Sequence, residues 1–416
     1  MTHHPREGTG AGQFSLSRRS LLSAAGLAGL GLALGACGSP AGSASVKGPI
    51  PLPRPYRPVT WPLTDANQAI PSGLAPEKNA TVKLYSWVAY INQKVLDAFA
   101  KKYGCAVEVS TFNTADEAIA KLTSGNLDFD VFFPTVDLIG PLVETGLVQP
   151  LNHSYLPNIH QAWSEFTDPF YDRGWRYTVP YTIYTTGIAW RKDFIKDGPE
   201  TMANPWAFPW QGKYRGKVAL LDDAREGISL GLLKNGLLDL NTGDPNHLAT
   251  ATNSLLELDA LVGLHVNNND YSDIPSGTSW IHQAWSGDMV SANGYLPSGT
   301  NIDVVGYWFP RDGRGPIAND TMVVLSGGKN PVLAHHLLDY FMDLPNAIAN
   351  MTFSGYMQPL TGMTAERLIA EGIIPPTLES TVVTEGDFAT GLRELAIAPE
   401  VNASWQQAWL RVSGGV

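Results

Sequence analysis

Asp130-Val131-Phe132-Phe133-Pro134 closes a run that opens at Val82-Lys83-Leu84, and the order of elements between the two decides the fold. Val82 and Leu84 alternate with polar residues, as in a strand. Asn92 has the chemistry of a helix N-cap, and Leu96, Phe99 and Tyr103 follow it at helical spacing. Val107 and Val109 make the next strand. Asp116 and Glu117 bring negative charge to the start of a second helix, which carries Ile119 and Leu122 inward. Residues 130–134 are then a short apolar strand stopped by proline. Strand–helix–strand–helix–strand implies a parallel sheet with helices on both faces.

The alternation recurs toward the C-terminus. Lys217-Val218-Ala219-Leu220-Leu221 reads as a strand followed by a helical pattern to Leu240, and Leu255 to Leu264 as another helix. Asn330-Pro331 starts a helix through Leu333, Leu337 and Phe341, with Asn as cap and Pro at the first helical position. Ligands of open parallel sheets sit outside the carboxyl ends of the strands. The loops Ser86–Tyr90, Pro134–Asp137, Asp222–Glu226 and Gly294–Ser298 are therefore where a site is expected.

Toward the N-terminus, Arg6, Arg18 and Arg19 stand against the single acid Glu7, and an uncharged run rich in Leu, Ala and Gly extends from Ser20 to Ala36. These are the regions of an export signal over residues 1–36, too short and too glycine-rich for a good membrane span. Ser17-Arg18-Arg19-Ser20-Leu21-Leu22 resembles a twin-arginine signal. Leu34-Gly35-Ala36-Cys37 resembles a bacterial lipobox, whose Cys37 thiol carries the lipid. Nine prolines within residues 38–79 mark a semi-rigid extended tether. Residues 37–79 are thus expected to hold a folded body off the outer face of the cytoplasmic membrane, in the periplasm or cell envelope.

The whole chain of 416 residues exceeds what one compact core usually holds and suffices for two lobes. With 44% hydrophobic and 16% charged residues it is neither a disordered nor a coiled-coil chain. A net charge of −11 argues against nucleic acid and anionic membrane surfaces, and suits a cationic ligand. Loss of residues 1–36 removes three positive charges and one negative, leaving −13. Two cysteines exclude a disulfide framework and a cysteine metal cage, and Cys105 is expected as a small buried hydrophobe.

Leu84-Tyr85-Ser86-Trp87-Val88-Ala89-Tyr90, Phe129-Asp130-Val131-Phe132-Phe133-Pro134 and Gly146-Leu147-Val148-Gln149-Pro150-Leu151 occur in an order that resembles one family. Val179-Pro180-Tyr181 with Thr186-Gly187-Ile188-Ala189 follow, then Trp210-Gln211-Gly212-Lys213-Tyr214-Arg215-Gly216-Lys217 running into Leu221-Asp222-Asp223-Ala224-Arg225-Glu226. Gly287-Asp288, Asn319-Asp320 and Gly355-Tyr356 complete the series. Over roughly residues 80–412 the chain resembles the bacterial spermidine/putrescine-binding proteins of ABC importers. The resemblance implies an α/β, two-lobe periplasmic-binding-protein fold of the Venus-flytrap type. Each lobe would be a mainly parallel sheet flanked by helices and discontinuous in sequence: residues 80–186 plus about 319–362, and 187–318 plus about 363–416. It further implies a monomer without cofactor, metal or catalysis, which closes on its ligand and delivers it to permease subunits driven by a separate ATPase.

An ammonium group taken out of water needs a carboxylate and further acceptors, and aromatic faces add about 0.5–2 kcal/mol per cation. By motif position, Trp87, Tyr90 and Tyr356 are expected as aromatic walls, and Tyr295 where the family usually has Trp. Asp223 and Glu226 are expected as ammonium partners, Asp320 as the central carboxylate, and Thr135 as a hydroxyl. Each has an ordinary structural alternative: core packing for Trp87, a helix N-terminal charge for Asp223 and Glu226, a turn cap for Asp320, a surface aromatic for Tyr356. Three departures bear on the ligand: Val88-Ala89 in place of a polar residue and an acid, Ala318 in place of an aromatic, and Ser298 where diamine binders have a second acid. A bulkier, less charged amine, or another small organic solute, is the alternative ligand.

Two other classes compete. Gly227-Ile228-Ser229-Leu230-Gly231 matches a serine-hydrolase nucleophile elbow, with His247, His265 and His282 as candidate bases. That motif needs its Ser on the turn directly after a strand, whereas here Ser229 is expected inside a helix. His335-His336 point about 100° apart on a helix and are expected on its solvated edge, and His153 and His160 flank a loop, so neither pair makes a metal site. Gly327-Gly328-Lys329 lacks the flanking residues of a P-loop.

Overall fold

The computed structural model describes residues 49–125 and 128–414, so the export signal and Cys37 lie outside the described residues. The run that decides the fold is present in the expected order: β1 (Thr81–Trp87), α1 (Gln93–Tyr103), β2 (Ala106–Phe112), α2 (Ala115–Thr123) and β3 (Val131–Phe132). Asn92 and Thr114 cap the two helices, and Gly104, at φ 67°, ends α1 in the left-handed conformation that glycine adopts without cost. β1 pairs in parallel with both β2 and β3.

After α3 (Ile139–Glu144) comes the 13-residue β4 (Val179–Arg191). The second part contains β5 (Val218–Leu220), α4 (Ala224–Lys234), α5 (Pro245–Val262), β6 (His265–Val266), α6 (Asp270–Ser276), β7 (Ile281–Trp285), α7 (Ser286–Ser291) and β8 (Val305–Trp308). The chain returns along β9 (Ile317–Val324) and ends in α8 (Pro331–Met342), α9 (Leu344–Ser354), α10 (Ala365–Ala370), α11 (Glu385–Thr390) and α12 (Pro399–Ser413).

The strands run in the order β2-β1-β3-β9-β4-β7-β5-β6, with β8 also on β4. The outer strands are parallel, as the sequence predicts, whereas β4 and β9 pair antiparallel in the middle. The first half of β4 pairs with β9 and its second half with β7 and β8, so one long strand serves both lobes. One buried cluster joins Leu84, Phe99, Val131, Leu337 and Phe341. A second joins Ile188, Leu220, Ile228, Leu255 and Trp405. The first cluster also takes in Ala284, Val305 and Tyr307 across the shared strand pair, and a third joins Tyr85, Phe112 and Phe132. Helices packed on a sheet whose central strands are shared make a two-lobe α/β architecture.

The proline-rich stretch is not the free tether that composition suggests. From residue 49 it lies against the body, with Trp61 fully buried beside Ile139, Leu142 and Tyr177. Trp61 Nε1 donates to the Tyr171 carbonyl at 2.7 Å, Arg176 donates to the Trp61 carbonyl, and the Tyr177 hydroxyl to that of Pro62. Prolines keep such a segment extended without stranding N–H donors, so side chains of the body need only satisfy its carbonyls.

Two further expectations need correcting. Asn330 occupies the N-cap position of α8, but its amide turns to Asp130 and the Thr81 carbonyl. Glu77 caps the helix instead, accepting from Val332 N and Leu333 N at 3.0 and 2.9 Å. His335 is buried rather than on a solvated helix edge. Its Nε2 accepts from Asn152 N, its Nδ1 faces the Pro331 carbonyl, and burial pushes its pKa down, as befits a neutral imidazole.

Candidate functional site

Along β4, Thr182, Tyr184 and Thr186 point to one face by the two-residue period of a strand. Thr182 stands opposite Asp320 of β9 and Tyr184 opposite Ala318, and opposed residues of an antiparallel pair share a face. Two carboxyl centres are built on this strip.

The first is Asp320, only 4% exposed. Its Oδ2 accepts from the Tyr90 hydroxyl at 2.6 Å, the same hydroxyl bonds Thr182 Oγ1, and Oδ1 has no protein partner. Thr135 reaches the Asp320 backbone through a bridge that brings the loop after β3 to β9. The Tyr356 ring stands edge-on to Tyr90 at 5.3 Å and to Tyr184 at 5.6 Å. Burial pushes Asp320 up to about 7, against the Tyr90 hydrogen bond and with help from the Asp137 charge.

The second centre lies at the start of α4. Asp223 caps the helix, accepting from Arg225 N at 2.8 Å and Glu226 N at 3.1 Å. Glu226 is 7% exposed. Its Oε1 accepts from Thr186 Oγ1 at 2.9 Å and Trp285 Nε1 at 2.7 Å, while Oε2 is buried without a partner. Burial first, then the charges of Glu394 and Asp223, hold Glu226 well above the usual carboxylate range. Glu394 accepts from Ser229 Oγ at 3.2 Å and is held up to about 7, mainly by burial.

From Thr182 to Thr186 is four residues, about 13 Å at the rise of an extended strand. Tyr184 lies between the centres, its phenol pushed far up by burial and by the charges of Asp320, Glu226 and Glu394. A second carboxyl pair, buried Asp270 and half-buried Asp288, adjoins Tyr356. The Tyr356 hydroxyl donates to Asp288 Oδ1 at 2.8 Å, and Trp285 N donates to Asp270 Oδ2 at 3.1 Å. Burial raises Asp288 to about 6, and burial with the Asp288 charge holds Asp270 well above the usual carboxylate range. Gly287 admits this packing, because a Cβ there would stand 2.5 Å from the Tyr356 ring.

Of the residues singled out by sequence, Tyr90, Thr135, Asp320 and Tyr356 gather at the first centre, and Asp223 and Glu226 form the second. Trp87 bonds to neither centre: it is half-buried against Phe112, its Nε1 donating to the Phe133 carbonyl at 3.1 Å. Tyr295 is not brought in: it is exposed and packs edge-on against Tyr271. The indole on Glu226 is Trp285, two residues before the Gly287-Asp288 motif. Sequence reading also missed Tyr184 and Thr186, which alternation around Thr182 would have found, and Glu394, which carries no local signal. Glu394 is delivered by the segment after α11, pinned where the Leu392 carbonyl accepts from Ile317 N and Leu395 N donates to Asn241. At the departures, Val88, Ala89 and Ser298 are exposed, and Ala318 stands opposite Tyr184 in the strand pair.

Ser229 lies inside α4 and is fully buried, which is not the geometry of a nucleophile elbow. Among the described residues no three His, Cys, Asp or Glu side chains are placed to hold a metal ion. Among the same residues no helix is long and apolar enough to cross a membrane.

Residues 94–374 match the profile of a family described as bacterial extracellular solute-binding protein. A spermidine/putrescine-binding periplasmic protein of Haemophilus influenzae is 30% identical over 298 residues, 71% of this chain and 79% of that protein. A putrescine/cadaverine-binding protein of Pseudomonas aeruginosa is 28% identical over 66% of this chain and 78% of its own length. In fold, the chain is similar to a putative spermidine/putrescine ABC transporter protein from Listeria monocytogenes, with a TM-score of 0.69 at 23% identity. That likeness covers 81% of this chain and 99% of the other.

Proposed function

The chain belongs to the bacterial extracellular solute-binding protein family, and we propose that it captures a polyamine-type cation between its lobes for an ABC importer. The observation that carries this reading is the pair of buried, incompletely satisfied carboxyl centres, Asp320 and Glu226, on one strip of β4 and β9. A buried carboxylate without a partner is costly, and a ligand ammonium supplies the missing charge and donors together. Two such centres about four strand residues apart suit a methylene chain with ammonium groups along it, and Tyr90, Tyr184, Tyr356 and Trp285 cover the methylenes. Trp87 and Thr135 edge the same cleft. Names of the relatives point to the same ligand class.

In this reading residues 80–186 with about 319–362 form one lobe and 187–318 with about 363–416 the other. The Tyr356–Asp288 hydrogen bond then crosses between them and forms on closure. The closed form is read by permease subunits, with a separate ATPase supplying energy and Cys37 anchoring the monomer outside the cytoplasm. A second reading, a bulkier and less charged amine, is favoured by the lack of an acid at Val88-Ala89 and of an aromatic at Ala318. Thermal melting against polyamines, choline-like amines, amino acids and sugars tests both. A rise with putrescine or spermidine supports the first; a rise only with a singly charged amine replaces it with the second; no rise with any amine overturns both.

A further inference from the structure

Ser229 stands three residues after Glu226 on α4, so the two side chains share a helix face. The Ser229 hydroxyl donates to Glu394 Oε1 at 3.2 Å, which brings a second glutamate to the face where Glu226 already stands. Glu226 has one oxygen satisfied by Thr186 and Trp285 and the other buried without a partner. No described lysine or arginine forms an ion pair with either glutamate. The nearest cation, Arg225, spends its guanidinium on the carbonyls of Leu395 and Leu240 and on Asn241 Oδ1.

We infer that Glu394 is a ligand-binding carboxylate which, with Glu226, forms a two-carboxylate seat that together holds one proton when empty and releases it to solvent when the cationic head of the ligand binds. The inference rests on the amine-binding reading and adds to it the seat and the exchange. Glu226 is buried and Glu394 half-buried, and the two like charges at one helix face oppose each other's ionisation, so the pair holds on to a proton near neutral pH. A head with several N–H donors satisfies both carboxylates at once, after which the proton leaves to solvent. The surrounding groups do not substitute for it. α4 contributes the Asp223 carboxylate and Arg225, β4 contributes Tyr184 and Thr186, β7 contributes Gln283 and Trp285, β8 contributes Tyr307, and the loop after β3 contributes Asp137. Only Arg225 among these carries positive charge. Entry of the head is therefore favoured as pH rises through the titration of the seat and opposed below it.

The test is calorimetric titration of the full chain with putrescine and with spermidine from pH 5.5 to 8.5, in buffers of differing ionisation enthalpy. Wild-type protein is expected to release protons on binding near pH 7 and to lose up to about tenfold in affinity per pH unit per proton on acidification. Glu394→Gln keeps the size of the side chain and an acceptor for Ser229. It should release about one proton fewer per ligand and show a flatter pH profile, while still binding. Binding without proton release, or unchanged release in Glu394→Gln, overturns the shared seat and leaves the amine-binding reading standing. No binding of either amine at any pH overturns both.

Discussion

Thr186 on β4 donates its hydroxyl to Glu226 Oε1 at 2.9 Å, so the strand shared by the lobes is bonded directly to a buried carboxyl group of α4. Replacing Thr186 by Val keeps shape and removes the donor. Glu226 should then ionise less readily, and cation affinity should fall by about tenfold to a hundredfold, as a hydrogen bond to a charged group is worth about 1.5–3 kcal/mol. Calorimetry of Thr186→Val checks it, and wild-type affinity would detach Thr186 from the site.

Asp320→Asn removes the charge of the first centre but retains an acceptor for Tyr90. Truncating one side of a buried, hydrogen-bonded charge pair costs about 2–5 kcal/mol, so affinity for a polyamine should drop by at least about thirtyfold. Because Asp320 sits near 7 by burial, the unliganded variant should melt no lower than wild type at pH 7. Equal affinity would remove Asp320 from the ligand.

Unliganded protein should become more stable as pH falls from 8 to about 5. Asp320 and Glu394 sit at about 7 and Asp288 at about 6, with Glu226 and Asp270 also raised, all through burial. In this window the folded chain holds more protons than the unfolded chain. The contribution is fully present below the ordinary carboxylate values and is lost as pH rises through the folded ones. Buried His282, pushed down to about 4, and His335 and His336, also pushed down by burial, act in the opposite sense below about pH 6.5 but are outnumbered by the raised carboxyl groups. Asp128, pulled down to about 2 chiefly by Lys83 and then Lys329, opposes the trend only at much lower pH. A melting series in pH should rise by a few degrees toward pH 5, and a flat or falling series would contradict the burial of these groups.

Trp61→Ala should destabilise the body by about 3–5 kcal/mol, the cost of emptying a buried Trp site. A protein beginning at residue 80 should melt lower than one beginning at 49, because Trp61 and the Glu77 cap of α8 are both lost. Identical denaturation profiles would show that the segment adds nothing to the fold.

Strand–helix order from Val82 to Pro134 was legible because caps, periodicity and burial agree there: Asn92, Thr114 and Gly104 bound the helices that the apolar spacing marks. Asp320, Glu226, Tyr90 and Tyr356 were legible through motif order. Glu394 was not, because its position depends on a loop 168 residues along the chain from Glu226, pinned by Leu392 and Asn241 rather than by local pattern. Trp61 was masked by its neighbours: nine prolines in residues 38–79 suggest a solvated tether, yet an extended segment with one large indole is also well shaped to lie in a groove. Tyr295 was misplaced because an aromatic near Gly287 was expected after the motif, while the indole that reaches Glu226 precedes it.

The most direct measurement is a calorimetric titration of the wild-type chain with spermidine at pH 8, where the carboxyl centres are most fully ionised. One ligand per chain, with affinity that collapses in Asp320→Asn, is the predicted result. Saturable binding that is equally tight in wild type and in Asp320→Asn, or no binding of any polyamine beside clear binding of an uncharged solute, would contradict a cation held between these carboxylates.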